Sequence, residues 1–283
     1  AVRHDLLSVI CICISGSSAR TAESERDRSS NMFVGSRRLA AQRGARAFSS
    51  SVTRPGFFEL RTDMVKPKKL DAYLKEQKST AAARKRIFPG WLGIWRTELG
   101  GACHQVHHLY HWDSYDQRDA TRFDADDEYE FYGKILNAKS FPGSSILPLP
   151  TLRDKLDSSS ACVFMEATDT LHACGLPGAL DFRPAALDPA ASPSRATWEL
   201  RSYQLRLGYD AVPEFLKLYS AGLEDKLCVD DSGASALCSL LYSDNGPLNV
   251  VHELWRHESL QRSVDSRVAS RKATKWREAI GQI

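Results

Sequence analysis

The stretch Phe58-Glu59-Leu60-Arg61-Thr62 decides the fold, because it recurs 140 residues later as Trp198-Glu199-Leu200-Arg201-Ser202. Two further stretches recur in the same order: Leu70–Lys75 as Val212–Lys217, and Val106–Tyr110 as Val251–Trp255. The offset grows from 140 to 145 residues along the chain, as a small loop insertion would produce. A period this long indicates a duplicated domain rather than a solenoid, whose units are shorter.

Each half of the duplication is predicted to run β-α-β-β-α. In the first half, Phe57–Thr62 is a short strand, and the apolar spacing from Leu70 to Gln77 predicts an amphipathic helix. Leu99-Gly100-Gly101 is expected to form a hairpin turn. The other predicted elements are strands at Trp91–Glu98, Cys103–Trp112, Ala161–Ala167, Ala234–Tyr242 and Leu248–Arg256, and helices near Ser114–Leu136, Thr151–Leu156 and Ser259–Ile280.

This order predicts an α+β fold of two tandem ferredoxin-like (βαββαβ) domains, residues 57–168 and 197–283, that pack as a dimeric-type α/β barrel. Residues 169–196 are rich in Pro and Ala and are interpreted as a linker. The second half stops at Ile283, before any counterpart of Ala161–Ala167. We therefore expect a C-terminally truncated second domain that lacks its last strand, with an unpaired sheet edge and a partly uncovered apolar face.

Residues 1–56 are predicted to be a targeting or disordered segment with a mitochondrial transit peptide at about residues 32–48. The stretch 33–58 contains five arginines, several serines and no acidic residue, which is typical of such peptides. Arg46 precedes a predicted cleavage after Phe48. Two alternatives remain at this level: a disordered basic tail, or a secretory hydrophobic region at Leu6–Ile14. A start at Met32 would make residues 1–31 a leader or a gene-model artefact.

Composition argues against several function classes. Residues 49–283 carry 30 basic and 31 acidic side chains, so they lack the basic excess of a nucleic-acid-binding domain. No apolar run is long enough for a membrane-spanning helix. The seven cysteines show no paired metal-ligand spacing and are interpreted as free thiols. Neither a phosphate-binding loop nor a hydrolase motif is present, so no cofactor and no metal are predicted.

Histidines supply the weak candidates for catalysis. His107 and His252 occupy equivalent positions in the two halves, and His107 shares a strand face with His111 while His104 and His108 share the other. The simpler interpretation is a core histidine that is hydrogen-bonded within the sheet. The alternative is a barrel-lining histidine that acts as a proton relay or haem ligand.

A repeated acid–base pattern marks a second set of positions. Glu59 and Arg61, and likewise Glu199 and Arg201, lie two residues apart on predicted strands and so share a face. They are interpreted as structural ion pairs, with a polar anchor inside each barrel half as the functional alternative.

These ordered motifs resemble the NIPSNAP family over Gly56–Gln282. The resemblance rests on the repeated strand motif, on Trp91-Leu92-Gly93-Ile94-Trp95, and on Val106-His107-His108-Leu109-Tyr110 with its counterpart Val251-His252-Glu253-Leu254-Trp255. It implies a mitochondrial protein, in the matrix or associated with a membrane. It further implies a role through protein–protein interaction, in mitochondrial quality control or vesicular transport, with no established enzyme activity.

The partners expected on this basis are other proteins, a second copy of the chain, and the periphery of mitochondrial membranes. The competing hypothesis is a small-molecule α/β-barrel enzyme, a monooxygenase or haem-handling protein, in which His107 or His252 lines the cavity. The barrel interior discriminates between them. A cavity of several hundred cubic ångströms would favour the enzyme, and a filled interior would favour the interaction protein.

Overall fold

The computed structural model describes residues 7–13, 56–123, 152–184, 196–230 and 233–282. Its strands are β1 Leu7–Cys13, β2 Phe57–Val65, β3 Trp91–Leu99, β4 Gln105–Trp112, β5 Leu156–Glu166, β6 Thr197–Gln204, β7 Ser235–Asn245 and β8 Val250–His257. Its helices are α1 Leu70–Ile87, α2 Tyr115–Phe123, α3 Leu152–Lys155, α4 Thr168–Ala173, α5 Ala211–Val229, α6 Leu260–Ser270 and α7 Thr274–Gln282, with a 3-10 turn at Pro67–Lys69.

The strands of the described residues close into one barrel in the order β1-β3-β4-β2-β5-β7-β8-β6. Every neighbouring pair is antiparallel. The first half contributes β3-β4-β2-β5, and the second half contributes β7-β8-β6 in the equivalent order. The predicted fold class is confirmed: two ferredoxin-like units in tandem form a single α/β barrel.

The second sheet has four strands, and this corrects the expectation of an unpaired edge. Its own half supplies three strands, and β1 fills the fourth place. Ile10 of β1 lies opposite Glu199 of β6 on one side and Leu99 of β3 on the other. The edge amides and carbonyls are therefore paired by a strand from the segment that was expected to be targeting or disordered. Sequence periodicity could not reveal this pairing, because it is non-local.

Within the range expected to be a linker, the structure describes residues 169–184. Helix α4 lies within it, and Leu171 of that helix is fully buried against the second half. Beyond α4, Ala179, Leu180 and Phe182 pack against the interior of the barrel. This stretch is hence a plug at the barrel interior rather than a free spacer, because its apolar side chains have a core to join.

Other predictions meet the structure in different ways. The helix expected at 259–280 is split into α6 and α7 by a short break at Arg271–Ala273. The strand expected at Ala161–Ala167 is longer, since β5 begins at Leu156. The transit peptide at 32–48, the cleavage after Phe48 and the continuation of α2 lie outside the described residues.

The core has three parts that follow from strand alternation. One apolar cluster fills the barrel interior and includes Phe58, Leu109 and Leu254. A second lies between the outer face of the first sheet and α1, and a third lies between the second sheet and α4, α5 and α7. Because both sheet faces are covered, β4 and β8 are buried almost throughout.

Candidate functional site

His107 lies in the barrel interior and is held there by two threonines. Its Nδ1 lies 3.0 Å from Thr62 Oγ1 on β2, and its Nε2 lies 3.2 Å from Thr97 Oγ1 on β3. The strand register places Thr62 of β2 and Trp95 of β3 directly opposite His107 on the two neighbouring strands. Both ring nitrogens therefore have hydroxyl partners, as expected for a buried imidazole.

His252 occupies the equivalent place in the second half. Its Nδ1 lies 2.9 Å from Ser202 Oγ, and Ser202 is the repeat counterpart of Thr62. Its ring packs on Phe164, with 4.7 Å between ring centres. The prediction that His107 and His252 hold equivalent positions thus extends to their hydroxyl partners, Thr62 and Ser202.

Both imidazoles are neutral at physiological pH. Burial lowers the pKa of His107 to about 4, against a smaller opposing effect of Asp63. Burial and, to a smaller extent, the neighbouring His107 lower the pKa of His252 to about 4, against the opposing effect of a backbone hydrogen bond with Arg201. The interior can therefore offer hydrogen bonds from neutral rings, whereas a charged ring there is strongly disfavoured.

The cavity beside His107 is small. Its volume is about 20 Å³, which is room for about one water molecule. Apart from His107, its lining is apolar: Leu60, Trp95, Leu109, Trp198, Leu200, Leu241 and Leu254. Sites for small-molecule ligands usually measure roughly 300–1,000 Å³, so side chains fill this part of the interior.

Glu59 lies on the outer face of the barrel and ties α2 to the sheet. Its carboxylate accepts hydrogen bonds from Arg118 Nε at 2.7 Å, from Arg122 Nη2 at 3.0 Å and from Trp112 Nε1 at 2.9 Å. Glu59 is only 1 % exposed. Arg61, the partner suggested by sequence, donates from Nε to Asp63 at 3.0 Å. Sequence reasoning missed the α2 arginines.

Glu199 has the same role in the second half. It accepts from Arg201 Nη2 at 2.9 Å and from Arg267 Nη1 of α6 at 3.3 Å, and His257 Nε2 lies 3.0 Å away. Burial alone would raise the pKa of Glu199, but the hydrogen bonds with His257 and Arg201 outweigh it and lower that pKa well below its ordinary range. The repeated carboxylates face the helices, so neither is an anchor inside the barrel.

Arg122 and Arg267 are repeat counterparts, and the sequence carried a signal for them. They lie 145 residues apart, which is the offset that also relates His107 to His252. Each arginine binds the repeated carboxylate of its own half: Arg122 binds Glu59, and Arg267 binds Glu199. A comparison of basic residues on the second helix of each half would have found these ion pairs.

A buried cation stands at equivalent positions of α1 and α5. Arg84 donates from Nη1 to Tyr110 Oη at 3.0 Å and from Nη2 to Gln77 Oε1 at 2.7 Å. In the second half, Lys226 Nζ lies 3.5 Å from Glu253 Oε2 and over the ring of Trp276. Burial lowers the pKa of Lys226 to about 8, although Glu253 opposes the shift.

The described residues hold no group of three or more His, Cys, Asp or Glu that could bind a metal ion. Within the same residues, no helix is both long enough and apolar enough to cross a bilayer. Free thiols are present at Cys103, Cys162, Cys174, Cys228 and Cys238. Among them, Cys238 lies in the barrel interior, where burial raises its pKa far above the ordinary value for a thiol.

The fold, together with the equivalent histidines in the barrel interior, defines the class of protein. It is a duplicated ferredoxin-like chain that closes into one α/β barrel. Comparison with known families makes this more specific, since the NIPSNAP family model matches residues 58–139 and again residues 198–282. The chain belongs to the NIPSNAP family, which confirms the resemblance seen in the sequence.

The chain is also similar to individual known proteins. The chain is 25 % identical over 217 residues to Protein NipSnap homolog 3B of Mus musculus, covering 76 % of this chain and 71 % of the relative. A NIPSNAP family protein of Agrobacterium tumefaciens is 20 % identical, with a TM-score of 0.32 over 40 % of this chain and 93 % of that one. An anthrone oxidase-like protein is 11 % identical, with a TM-score of 0.46 over 80 % of this chain and 84 % of that one.

Proposed function

We propose that this NIPSNAP protein acts in mitochondria through protein–protein interaction and without catalysis, in mitochondrial quality control or vesicular transport. Family membership supports the coarse assignment. The folded barrel serves as a docking body, and the partly buried ion pairs that tie α2 and α6 to the sheet hold its outer surface in place. The mitochondrial address rests on the arginine-rich, acid-poor stretch at 33–58.

One observation carries the non-catalytic proposal. The cavity beside His107 has a volume of about 20 Å³ and an apolar lining, and both ring nitrogens of His107 already face protein hydroxyls. A general acid or base needs a reacting atom within hydrogen-bond reach. Here the reachable positions are occupied by Thr62 and Thr97, so a substrate would have to displace packed side chains.

The test of the interaction proposal is affinity capture from mitochondria with the full chain as bait. We expect specific proteins to be recovered, and we expect His107→Gln and His252→Gln to recover the same proteins, because the interior residues do not touch partners. Loss of every specific protein upon either substitution, with the fold intact, would contradict the proposal.

The mitochondrial address has its own test. N-terminal sequencing of the form purified from mitochondria should place the mature N-terminus near Ser49. A form that retains residues 1–31 would refute both the start at Met32 and the cleavage after Phe48.

The alternative function is a small-molecule barrel enzyme, and the histidine pair is the observation that favours it. His107 and His252 are neutral, buried and directed into one interior from equivalent strands. A pair of neutral imidazoles could pass a proton across the barrel. Binding of haem, seen as an absorbance band that disappears in His107→Gln or His252→Gln, would support this alternative.

A further inference from the structure

Three large apolar side chains stand clear of the protein at one end of the barrel. Tyr209 is 106 % exposed, Leu207 76 % and Leu248 69 %. Leu207 and Tyr209 lie in the turn between β6 and α5, and Leu248 lies in the hairpin between β7 and β8. Such exposure means that these side chains project into solvent rather than line a groove. We call them the apolar tips.

The backbone beneath the apolar tips is held by hydrogen bonds that join the two loops. Asn249, with a positive φ of 54°, donates from Nδ2 to the carbonyl of Arg206 at 2.7 Å and to that of Gly208 at 3.1 Å. Gln204 Nε2 donates to the carbonyl of Leu248 at 2.9 Å. Because these hydrogen bonds hold the backbone of both loops, the apolar tips are exposed by the folded structure and not by fraying of a loop.

The charge around the apolar tips is balanced. Arg206 Nη2 donates to Glu214 at 2.8 Å and also bonds Asp210. The two carboxylates nearest to Leu207 and Tyr209 in sequence are thus paired with a guanidinium. This ion pair reduces the repulsion that free carboxylates would exert on an anionic partner.

Two exposed lysines stand at the same end of the barrel. Four antiparallel steps, through β5, β7 and β8, lead from β2 to β6, so β2 and β6 run in the same direction. The turns that follow them therefore lie at the same end. In the first half that turn contains Lys68 and Lys69, which are both exposed.

We propose that this end of the barrel binds the surface of a membrane that contains anionic phospholipids. Tyrosine and leucine side chains insert at the boundary between headgroups and acyl chains, and lysines are attracted to the negative headgroups. Projecting apolar tips on one side of the barrel end and lysines on the opposite side of the same end suit a broad, deformable, negatively charged surface better than a preformed groove. The inference deepens the proposed function by naming a surface to which the docking body attaches.

The experiment is vesicle flotation of the full chain with phosphatidylcholine alone and with phosphatidylcholine plus phosphatidylglycerol. One variant combines Leu207→Ser, Tyr209→Ser and Leu248→Ser, and a second combines Lys68→Gln and Lys69→Gln. The matched control removes apolar side chains of lesser exposure elsewhere, on the outer side of α6: Leu260→Ser, Val264→Ser and Val268→Ser.

We expect the wild type to bind the anionic vesicles preferentially. The apolar-tip variant should partition onto vesicles at least tenfold more weakly than the wild type. The lysine variant should bind anionic vesicles about tenfold more weakly, and added salt should weaken binding of the wild type in the same way. The α6 control should change less than about twofold, because those residues lie outside the contact. Circular dichroism would verify that each variant is folded.

Unchanged partitioning in both variants would overturn the inference, since binding would then come from another part of the chain. Equal binding to neutral and anionic vesicles would overturn the role of the lysines. If the apolar-tip variant instead lost a captured protein while vesicles bound neither form, the surface would be a protein interface and the lipid inference would be wrong. Affinity capture by the wild type would remain a separate test of the proposed function.

Discussion

The ammonium of Lys226 lies 4.0 Å from the centre of the Trp276 ring, in a site that is closed to solvent. The ring of Trp255 is 4.4 Å away on another side. Glu253, its carboxylate partner at 3.5 Å, also contacts Arg201, Tyr203 and Trp255. The second half therefore buries a cation among aromatic rings where the first half buries Arg84.

This lysine should make stability depend on pH. Because burial lowers its pKa to about 8 from 10.5, the unfolded chain binds more protons than the folded one between these values. The free energy of unfolding should consequently rise as pH increases from about 8 to about 10, by on the order of 1–3 kcal/mol. Lys226→Met should remove this rise, and Lys217→Met, on the exposed face of the same helix, should keep it.

Urea denaturation at several pH values would measure the effect. A parallel rise in the wild type and in Lys226→Met would show that the ammonium is not the source.

The interior histidines should make the free energy of unfolding depend on pH in the acidic range. Both folded pKa values are about 4, below the ordinary value near 6.5, so the unfolded chain takes up protons first as the pH falls. Stability should be full above pH 6.5 and decline between 6.5 and 4. His107→Gln and His252→Gln should each make that decline shallower.

At neutral pH the same substitutions should lower stability by about 1–2 kcal/mol each, because hydroxyl partners lose their hydrogen bonds. His172→Gln, at an exposed position, is the control and should leave both the neutral-pH stability and the acid slope unchanged. A wild-type acid slope retained in both interior variants would show that other groups govern acid unfolding.

The repeated carboxylates should behave as paired anchors of the helices. Glu59→Gln and Glu199→Gln each remove the anion from the partly buried arginines that it holds, so each should lower the free energy of unfolding by about 2 kcal/mol. Glu278→Gln, on an exposed helix face, should have almost no effect. Thermal melts would measure the loss of stability, and amide hydrogen exchange would show which helices it affects.

Exchange should increase in α2 for Glu59→Gln and in α6 for Glu199→Gln. Uniform loss of protection across the barrel, without any preference for those helices, would contradict the anchoring role.

Strand β1 offers a test of barrel closure. Ile10→Pro removes a backbone donor from the strand that lies between β3 and β6, and proline is tolerated poorly in a central strand. We expect amide exchange to increase at Trp95–Leu99 and Thr197–Ser202, while Ile10→Val should leave exchange unchanged. Unaltered protection in Ile10→Pro would mean that β1 does not close the barrel in solution.

Closure of the barrel by β1 requires that Leu7–Cys13 stay in the protein, whereas mitochondrial processing would remove this strand. Cleavage after Phe48 would release this strand from the folded body, and the mature form should then show the exchange pattern expected for Ile10→Pro. Comparing the mature form with the full chain would therefore connect the address to the fold.

Local patterns were enough to predict most elements and the duplication. The repeated strand motif placed β2 and β6, and the periodicity from Leu70 to Gln77 placed α1. Pairing of β1 with β3 and β6 was not predictable, because it depends on contacts between distant segments that leave no periodic signal. Packing of Phe182 against Trp198 was missed for the same reason, since prolines around it suggested a spacer.

The site was predicted less completely than the fold. Equivalence of His107 and His252 followed from the repeat, and strand alternation put His107 and His111 on one face. What alternation does not tell is which face is the barrel interior, so the outward position of Glu59 and its pairing with Arg118 and Arg122 required the structure.

The most direct test of the central claim is native mass spectrometry of the protein purified from mitochondria, with small molecules and proteins both identified. A docking body whose interior is filled by side chains beside His107 predicts the mass of the polypeptide, alone or with protein partners, and no stoichiometric small molecule. A small molecule bound at one equivalent, and lost in both His107→Gln and His252→Gln while the fold is retained, would contradict it.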